Sequence, residues 1–426
     1  MTVKPTPAKS PQDGAPGQRR AGAFAALRVR DYRYFFFGQL VSNTGTWVQF
    51  VAQDWLVLQL TGRALNVGIT SALQFLPILV LGLFGGALAD RYPRRLLLMA
   101  AQTVLGLCAA LLAVATLTGH VTLGFVFGLA LVSGAVNAVS NPALQSFVAD
   151  VVGPEHLGNA ISLGALNFQS ARLVGPAVSG VLISAVGTGW AFAVNAASYA
   201  VVVASLLAVR QSAQKPKPRT KGQVREGLRY VRRRGELLRP ITLVGFVCTF
   251  GYNFPTIFSG FASGTFHVAA GRYALMTTAL GVGAVAGALL TARRGRDGGN
   301  TPPRVLLYAA GGFAGAELVA ALAPGYASFV AVMVLVGGLS IVFNTTANTT
   351  VQMATDPAMR GRVMGLYSLV YSGGTTVGAP LLGWAMDAWG ARASLACCAG
   401  LAAAGTLVVA TALRGDRGPD TADTGS

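Results

Sequence analysis

Between Tyr34 and Leu413 the chain is a succession of apolar stretches, with nearly every basic residue in the gaps on one of the two alternating sides. A bilayer hydrocarbon core about 30 Å thick takes about 20 residues of helix to cross, so a recurring length of that order is selected by lipid. Inside lipid every backbone N–H and C=O must find a partner within its own segment, which leaves helices for stretches this long. The chain is 53% hydrophobic and 11% charged, about half the charged share of a soluble domain.

Hydropathy and turn signals place twelve spans, at 34–60, 64–89, 95–118, 122–146, 159–185, 189–209, 241–265, 271–292, 303–323, 327–352, 363–387 and 391–413. Thr61-Gly62-Arg63, Tyr92-Pro93 and Gly153-Pro154 mark breaks between them. The net charge of +18 first suggests nucleic acid, so the placement of the charges has to decide. Of 33 basic residues, 29 fall on one side of the spans, and Arg63, Arg272 and Arg392 alone on the other. That asymmetry is the positive-inside pattern, so the charge reflects topology, and no nucleic-acid partner is expected. Both termini are then cytoplasmic, which an even number of crossings requires.

The expected organisation is a disordered cytoplasmic tail at 1–33, a six-helix bundle at 34–209 and a basic central loop at 210–240. A second bundle at 241–413 and a cytoplasmic tail at 414–426 complete it. In the central loop Val224, Leu228 and Val231 recur at helical spacing among Arg225, Arg229 and Arg232 to Arg234. This reads as a basic amphipathic helix lying on the inner leaflet, or as a solvated linker. The four cysteines fall in spans without metal spacing and read as small apolar residues.

A shift of 203 residues superposes Asn141 on Asn344, Pro154 on Pro357, Gly158 on Gly361 and Leu163 on Leu366. It also superposes Val174 on Val377, Gly175 on Gly378, Gly180 on Gly383 and Gly187 on Gly390. Four glycine matches at one ungapped offset indicate a duplicated unit. The expected fold class is therefore an all-α polytopic membrane protein: 12 transmembrane helices in two pseudo-symmetric six-helix bundles around a central cavity, with a substrate path between the halves.

Between spans 2 and 3 the chain reads Gly86-Ala-Leu-Ala-Asp90-Arg91-Tyr-Pro93-Arg94-Arg95-Leu-Leu-Leu98. Gly86 permits close helix packing, Asp90 is a carboxylate able to face a helix N-terminus, and the arginines can meet Asp150 at the end of span 4. The run resembles the loop signature of the major facilitator superfamily, with Pro93 in place of the usual second glycine. The likeness extends from Ala25 to span 12. It is strongest to the drug:proton antiporter branch that includes enterobactin exporters and macrolide efflux proteins, carried by Trp55 to Gly62, by Asn141-Pro142 through Asp150, and by Arg360-Gly361-Arg362-Val363-Met364-Gly365. The span 4 arginine common in the superfamily would fall at Ala130, and is absent. The span 5 antiporter signature survives as Ala171-x-x-x-Gly175-Pro176-x-x-Ser179-Gly180, without its first two glycines.

Three charged residues stand inside spans: Asp54, Arg172 and Glu317. A charge at mid-bilayer costs about 2.5–3.5 kcal/mol on insertion scales, so each is a candidate for function or for a structural ion pair. If Asp54 and Arg172 approach and separate during a cycle, Asp54 can take a proton from one side and release it to the other. A permanent salt bridge is the alternative. Asp387 reads as an interfacial cap. Ser42, Thr46, Gln49 and Gln53 recur along one face of span 1, with Asn43 and Asp54 on the adjoining stripe, as a cavity-lining helix needs. Asn137, Asn141, Tyr252, Asn253, Asn344 and Asn348 add polar groups in spans 4, 7 and 10, which line the cavity in the superfamily. Interhelical hydrogen bonds are the other reading of each asparagine.

The sequence contains no Gly-x4-Gly-Lys-Ser/Thr loop for nucleotide-driven pumping and no metal-spaced His/Cys set. The resemblance implies a secondary active exporter, not an enzyme. It would move a small amphiphilic organic molecule by alternating access in the bacterial inner membrane, powered by the proton gradient without a cofactor, and would function as a monomer in the lipid bilayer. A dedicated exporter of a siderophore or natural product, an importer, and a membrane scaffold or sensor are the alternatives. Gating is expected at Gly86, Asp90, Arg91, Arg94 and Asp150, with Asp90 facing the start of span 11, and at the span 5 kink of Gly175, Pro176 and Gly180.

Overall fold

The computed structural model describes residues 24–210, 223–296, 303–356 and 359–415, and omits the side chains of 83–91, 223–225, 294–296, 303–304 and 412–415. After a 3-10 turn at Ala25–Arg28, the helices are α1 Arg30–Thr61, α2 Ala64–Arg91, α3 Arg94–Leu117, α4 Leu123–Val186, α5 Thr188–Ala208 and α6 Gln223–Arg232. They continue with α7 Gly235–Phe250, α8 Phe254–Gly264, α9 Ala270–Arg296, α10 Pro303–Ala321, α11 Tyr326–Met353, α12 Arg360–Trp389 and α13 Ala391–Gly415. Eight helical stretches are long and apolar enough to cross a membrane, the α7–α8 pair being one of them. Of these, α4 crosses twice. Its backbone reverses at Gly153, whose φ of 70° a side chain would resist, and Pro154 starts the second leg. With α1 and α12, which are more polar, and the shorter α10, the crossings come to 12.

One expected span is broken. α7 stops at Phe250 and α8 starts at Phe254, with Gly251, Tyr252 and Asn253 between them. Pro255, in the first turn of α8, has no N–H to continue the ladder. The Asn253 amide instead donates to the Thr249 carbonyl at 2.7 Å. Phe313 of α10 presses against the bare face of Gly251. Hydropathy cannot register this break, because all three residues sit in an apolar run.

The duplicated unit shows in how matched glycines are used. Gly175 lets α4 close on Trp47 and Thr44 of α1, and Gly378 lets α12 close on Thr249 of α7. Gly187 and Gly390 both end helices with positive φ, 91° and 86°. The halves are α1–α5 and α7–α13.

The basic loop helix α6 does not lie free on a membrane surface. Val231 is buried in the core of the second half, and the helix is fastened to the α11–α12 connection. The Tyr230 hydroxyl donates to Asp356 at 2.7 Å, Arg234 bridges Asp356 at 3.0 Å, and Arg362 bridges Glu226 at 2.8 Å. The Tyr230 hydrogen bond, and then the Arg234 charge, hold the Asp356 carboxyl below its ordinary value. An apolar stripe that short pairs with protein as well as with lipid, and here Asp356 of the α11–α12 connection and Arg362 of α12 supply the charged partners.

Candidate functional site

The face that carries the basic loops is here called the basic face, and its opposite the far face. Among the described residues, the hydrogen bonds and ion pairs that join the halves all lie toward the far face. Asp387, near the end of α12, accepts from the Ala64 and Leu65 amides at 2.9 and 3.2 Å and lies 3.6 Å from Arg63. It thus caps the N-terminus of α2 from the other half, where the helix dipole favours a carboxylate. Below this cap Gly68 meets the Ala379 carbonyl, and Gly383 meets the Ala64–Leu65 backbone. The seam runs inward as far as Leu79 and Gly373. On the other side Gly180 meets Ala274 and Gly281 meets the Arg172 carbonyl, so α4 closes on α9.

Asp54 is buried in this closed region, with 9% of its surface exposed. Tyr273 of α9 lies within hydrogen-bonding reach of it, and the Tyr273 hydroxyl within reach of Ser259 of α8. The Tyr273 ring is packed between Trp55 at 5.6 Å and Phe258 at 6.5 Å. A carboxyl of the first half therefore meets a hydroxyl of the second inside a seam. Arg172 does not pair with it. Its guanidinium lies over Trp47 at 5.7 Å, and Trp47 precedes Asp54 by seven residues, about 10 Å along the helix. Tyr252 and Tyr371 of the other half interact electrostatically with the guanidinium.

The polar stripe expected to line a cavity turns instead into the first half. The Asn195 amide of α5 donates to Gln49 at 2.7 Å, Thr46 meets the Tyr199 hydroxyl at 3.3 Å, and Gly45 packs on Ser198. Asn43 donates to Asn167 of α4 at 2.8 Å. Periodicity identified a polar face, but α5 supplies matching polar groups, and a hydrogen-bonded interface in lipid is as good a reason for such a face as water. Gln53 is buried, and its amide nitrogen has no partner among the described residues.

Of the other expected cavity residues, Asn137 is half-buried and Asn141 exposed on α4. Asn344 engages Tyr371, Asn348 accepts from Gln352 at 2.5 Å, and Asn253 sits at the α7–α8 break with its side-chain oxygen unpaired. The Tyr252 hydroxyl donates to the Ser340 carbonyl of α11. Glu317 is 1% exposed with both oxygens unpaired, one turn from Phe313 and facing α13 near Cys398. It stands apart from the Asp54 and Arg172 groups.

At the basic face Arg94 and Asp150 form an ion pair. The side chains of Asp90 and Arg91 lie outside the described residues, as do the surroundings of Gly86, although the α2 backbone runs through all three. Pro176 is buried in the second leg of α4, and the Ser179 hydroxyl donates to the Val48 carbonyl at 2.9 Å. Sequence reasoning missed Tyr273, Tyr371 and Asn195. Tyrosine is common at membrane interfaces, and Asn195 lies in a span expected to be peripheral, so neither type marks itself out.

Two six-helix halves with charged and aromatic side chains between them define a membrane transporter of the major facilitator type, not an enzyme. The computed fold is similar to a bacterial homolog of the human lysosomal transporter Spinster (TM-score 0.72, 15% identity, 93% of this chain and 99% of that one). It is also similar to a POT peptide transporter (TM-score 0.74, 14% identity, 90% and 94%). The chain belongs to the transmembrane secretion effector family, whose model matches residues 21–423. The enterobactin exporter EntS of Citrobacter koseri is 25% identical over 354 residues, 83% of this chain and 84% of that protein. The EntS of Salmonella choleraesuis is 24% identical over the same shares. The chain is thus a multi-pass membrane transporter of a small molecule.

Proposed function

We propose that the protein exports a small amphiphilic organic molecule across the bacterial inner membrane in exchange for protons. It works as a monomer, with the basic face cytoplasmic, and needs no cofactor. The observation that carries this reading is the Asp54 carboxyl buried against Tyr273 in the far-face seam. With the basic face inside, the described arrangement is closed to the exterior.

Closing the seam on an ionised carboxylate withdraws the charge from water, at an effective cost of several kcal/mol. Closing it on a carboxylic acid that keeps its hydrogen bond to Tyr273 costs far less. The empty carrier therefore returns to the inward-facing state only after Asp54 has taken a proton from the exterior. Loss of that proton to the cytoplasmic side leaves a charge in the seam, which favours opening once substrate is loaded. One proton and one substrate then move in opposite directions. Bulky apolar parts of the substrate fit the rings of Trp47, Tyr252 and Tyr371, and the relatives named as enterobactin exporters support the outward direction.

The test is Asp54→Asn in everted vesicles. Gradient-driven accumulation should fall to background, while substrate binding and downhill exchange persist. If the variant still concentrates substrate at the parental level, Asp54 is not the proton site and Glu317 is next. If folded protein and every transport mode fall together, Asp54 holds the seam together and does no coupling.

A further inference from the structure

The proton site leaves Arg172 without a task. Its side chain is half-buried midway along the second leg of α4, and no carboxylate pairs with it among the described residues. Asp54 lies about 10 Å beyond Trp47 along α1, and Glu317 is 1% exposed inside the second half. The Trp47 ring lies beneath the guanidinium at 5.7 Å, and Tyr252 and Tyr371 of the other half lie within electrostatic range of it. The two tyrosine rings are 6.0 Å apart. Both hydroxyls are engaged elsewhere, Tyr252 with the Ser340 carbonyl and Tyr371 with Asn344.

A guanidinium presents five N–H donors in a planar fork. Ring faces stabilise its charge but take few of those donors. A cation kept in the membrane interior with its hydrogen bonds unspent marks a substrate path, and the fork matches an oxyanion in two-point contact. The Trp47 ring beside it, with the paired Tyr252 and Tyr371 rings within electrostatic range, suits a flat aromatic body. Resting on the transport reading above, we infer that Arg172 is the recognition point for substrates carrying an oxyanion on or beside an aromatic ring. Trp47 and the two tyrosines flank that ring. The same charge repels cationic amphiphiles, so the site selects by sign as well as by shape. With Arg172 in one half and Tyr252 and Tyr371 within electrostatic range in the other, an anion bound here lies between the halves, away from Asp54 and Tyr273.

Two ring-matched probes test this, 1-pyrenesulfonate and 1-pyrenemethylammonium, titrated against the full chain in phosphatidylcholine nanodiscs and read by energy transfer from tryptophan to pyrene. The sulfonate should bind at least tenfold more tightly than the ammonium. Arg172→Gln should abolish that preference, with sulfonate affinity falling tenfold or more. Arg172→Lys, which keeps the charge and loses the fork, should fall between. Trp47→Leu should weaken both probes and preserve the preference, so it reads the site even if Arg172→Gln fails to fold. Equal binding of the two probes by the parent, binding of neither, or parental sulfonate affinity in Arg172→Lys together with an unchanged preference in Arg172→Gln overturns the inference. Proteoliposomes separate it from the transport reading. A parent that binds the sulfonate through Arg172 but accumulates it under no gradient keeps the recognition and loses the transport. A parent that transports while Arg172→Gln keeps its charge preference does the reverse.

Discussion

The two seams that close the far face come from corresponding helices of the repeat and are built differently. Along α2–α12 the helices interlock through Gly68, Ala379 and Gly383, and Asp387 caps α2 from across the boundary. Along α4–α9 the contacts are Gly281 on the Arg172–Leu173 backbone at 3.2 and 3.3 Å, Gly180 on Ala274, and Ser184 on Gly271 at 3.1 Å, fewer close backbone approaches than in the α2–α12 seam. A groove of about 600 Å³ opens there beside Ala177, Val181 and Leu275. Ser184 is the residue that a shift of 203 places on Asp387, so one half has a carboxylate where the other has a hydroxyl. Asp54 and Tyr273 sit at the looser side. On the proton exchange proposed above, the seam that releases when one proton leaves is the one that is neither interlocked nor capped. The tight seam behaves as the anchor, and the loose one as the element that a charge can move.

The largest effect should come from steric intrusion into the anchor. At Gly68 a side chain runs into the Ala379 carbonyl and lies 3.1 Å from the Pro380 Cα, backbone that cannot swing aside. Overpacking of this kind costs about 1–3 kcal/mol, which displaces the balance between conformers by roughly five- to 150-fold. Gly68→Val should hold the far face open and reduce transport in proportion, as distances between spin labels at the ends of α2 and α12 would record. Ala177→Leu adds similar bulk to the groove and should leave conformers and transport within about twofold of the parent, since it meets open space. Comparable losses from both would mean that the seams are equivalent.

A smaller shift follows from exchanging the caps. Removing the carboxylate with Asp387→Asn gives up about 0.3–1 kcal/mol of helix-terminus stabilisation, so the far face should open about two- to fivefold more often. Ser184→Asp places a carboxylate at the start of α9 and should bias the loose seam toward closure by a similar factor. The double variant should return toward the parental balance if the two caps act on one equilibrium. Spin-label distances across each seam decide it, and an unchanged distribution in Asp387→Asn removes the cap from the gate.

Much of this was legible in sequence, for reasons that differ by element. Span lengths follow from bilayer thickness, and the repeat from glycines whose packing duty is the same in both halves, as at Gly175 and Gly378. The Arg94–Asp150 pair followed from loop register. What sequence could not assign was direction around a helix axis. The stripe of Ser42, Thr46 and Gln49 is polar in either reading, and only the position of Asn195 and Tyr199 on α5 decides that it faces protein. Asp54 and Arg172 were recognisable as costly, but their neighbours in the other half come from the α7–α8 break, α9 and α12, 80 or more residues away in sequence. The break at Gly251 to Asn253 depends on Phe313, which no local pattern announces.

The smallest effect should come from the basic face, where the contacts of α6 stay within one half and cross no seam. Tyr230 and Arg234 hold Asp356 below its ordinary carboxyl value of 3.8. A carboxyl depressed in the folded state stabilises that state fully above its unfolded value, and this contribution is lost as pH falls through the lower folded one. α6 should therefore stay docked at neutral pH and detach only below about pH 4. Tyr230→Phe removes the hydrogen bond that contributes most and leaves Arg234 in place, so detachment should begin at slightly higher pH. Hydrogen exchange at the α6 amides would follow it. Because this fastening joins neither seam, the variant should leave the conformer balance at neutral pH where it was. A shift as large as that of Asp387→Asn would mean that α6 takes part in gating, and that contacts within a half move the seams as effectively as contacts between halves.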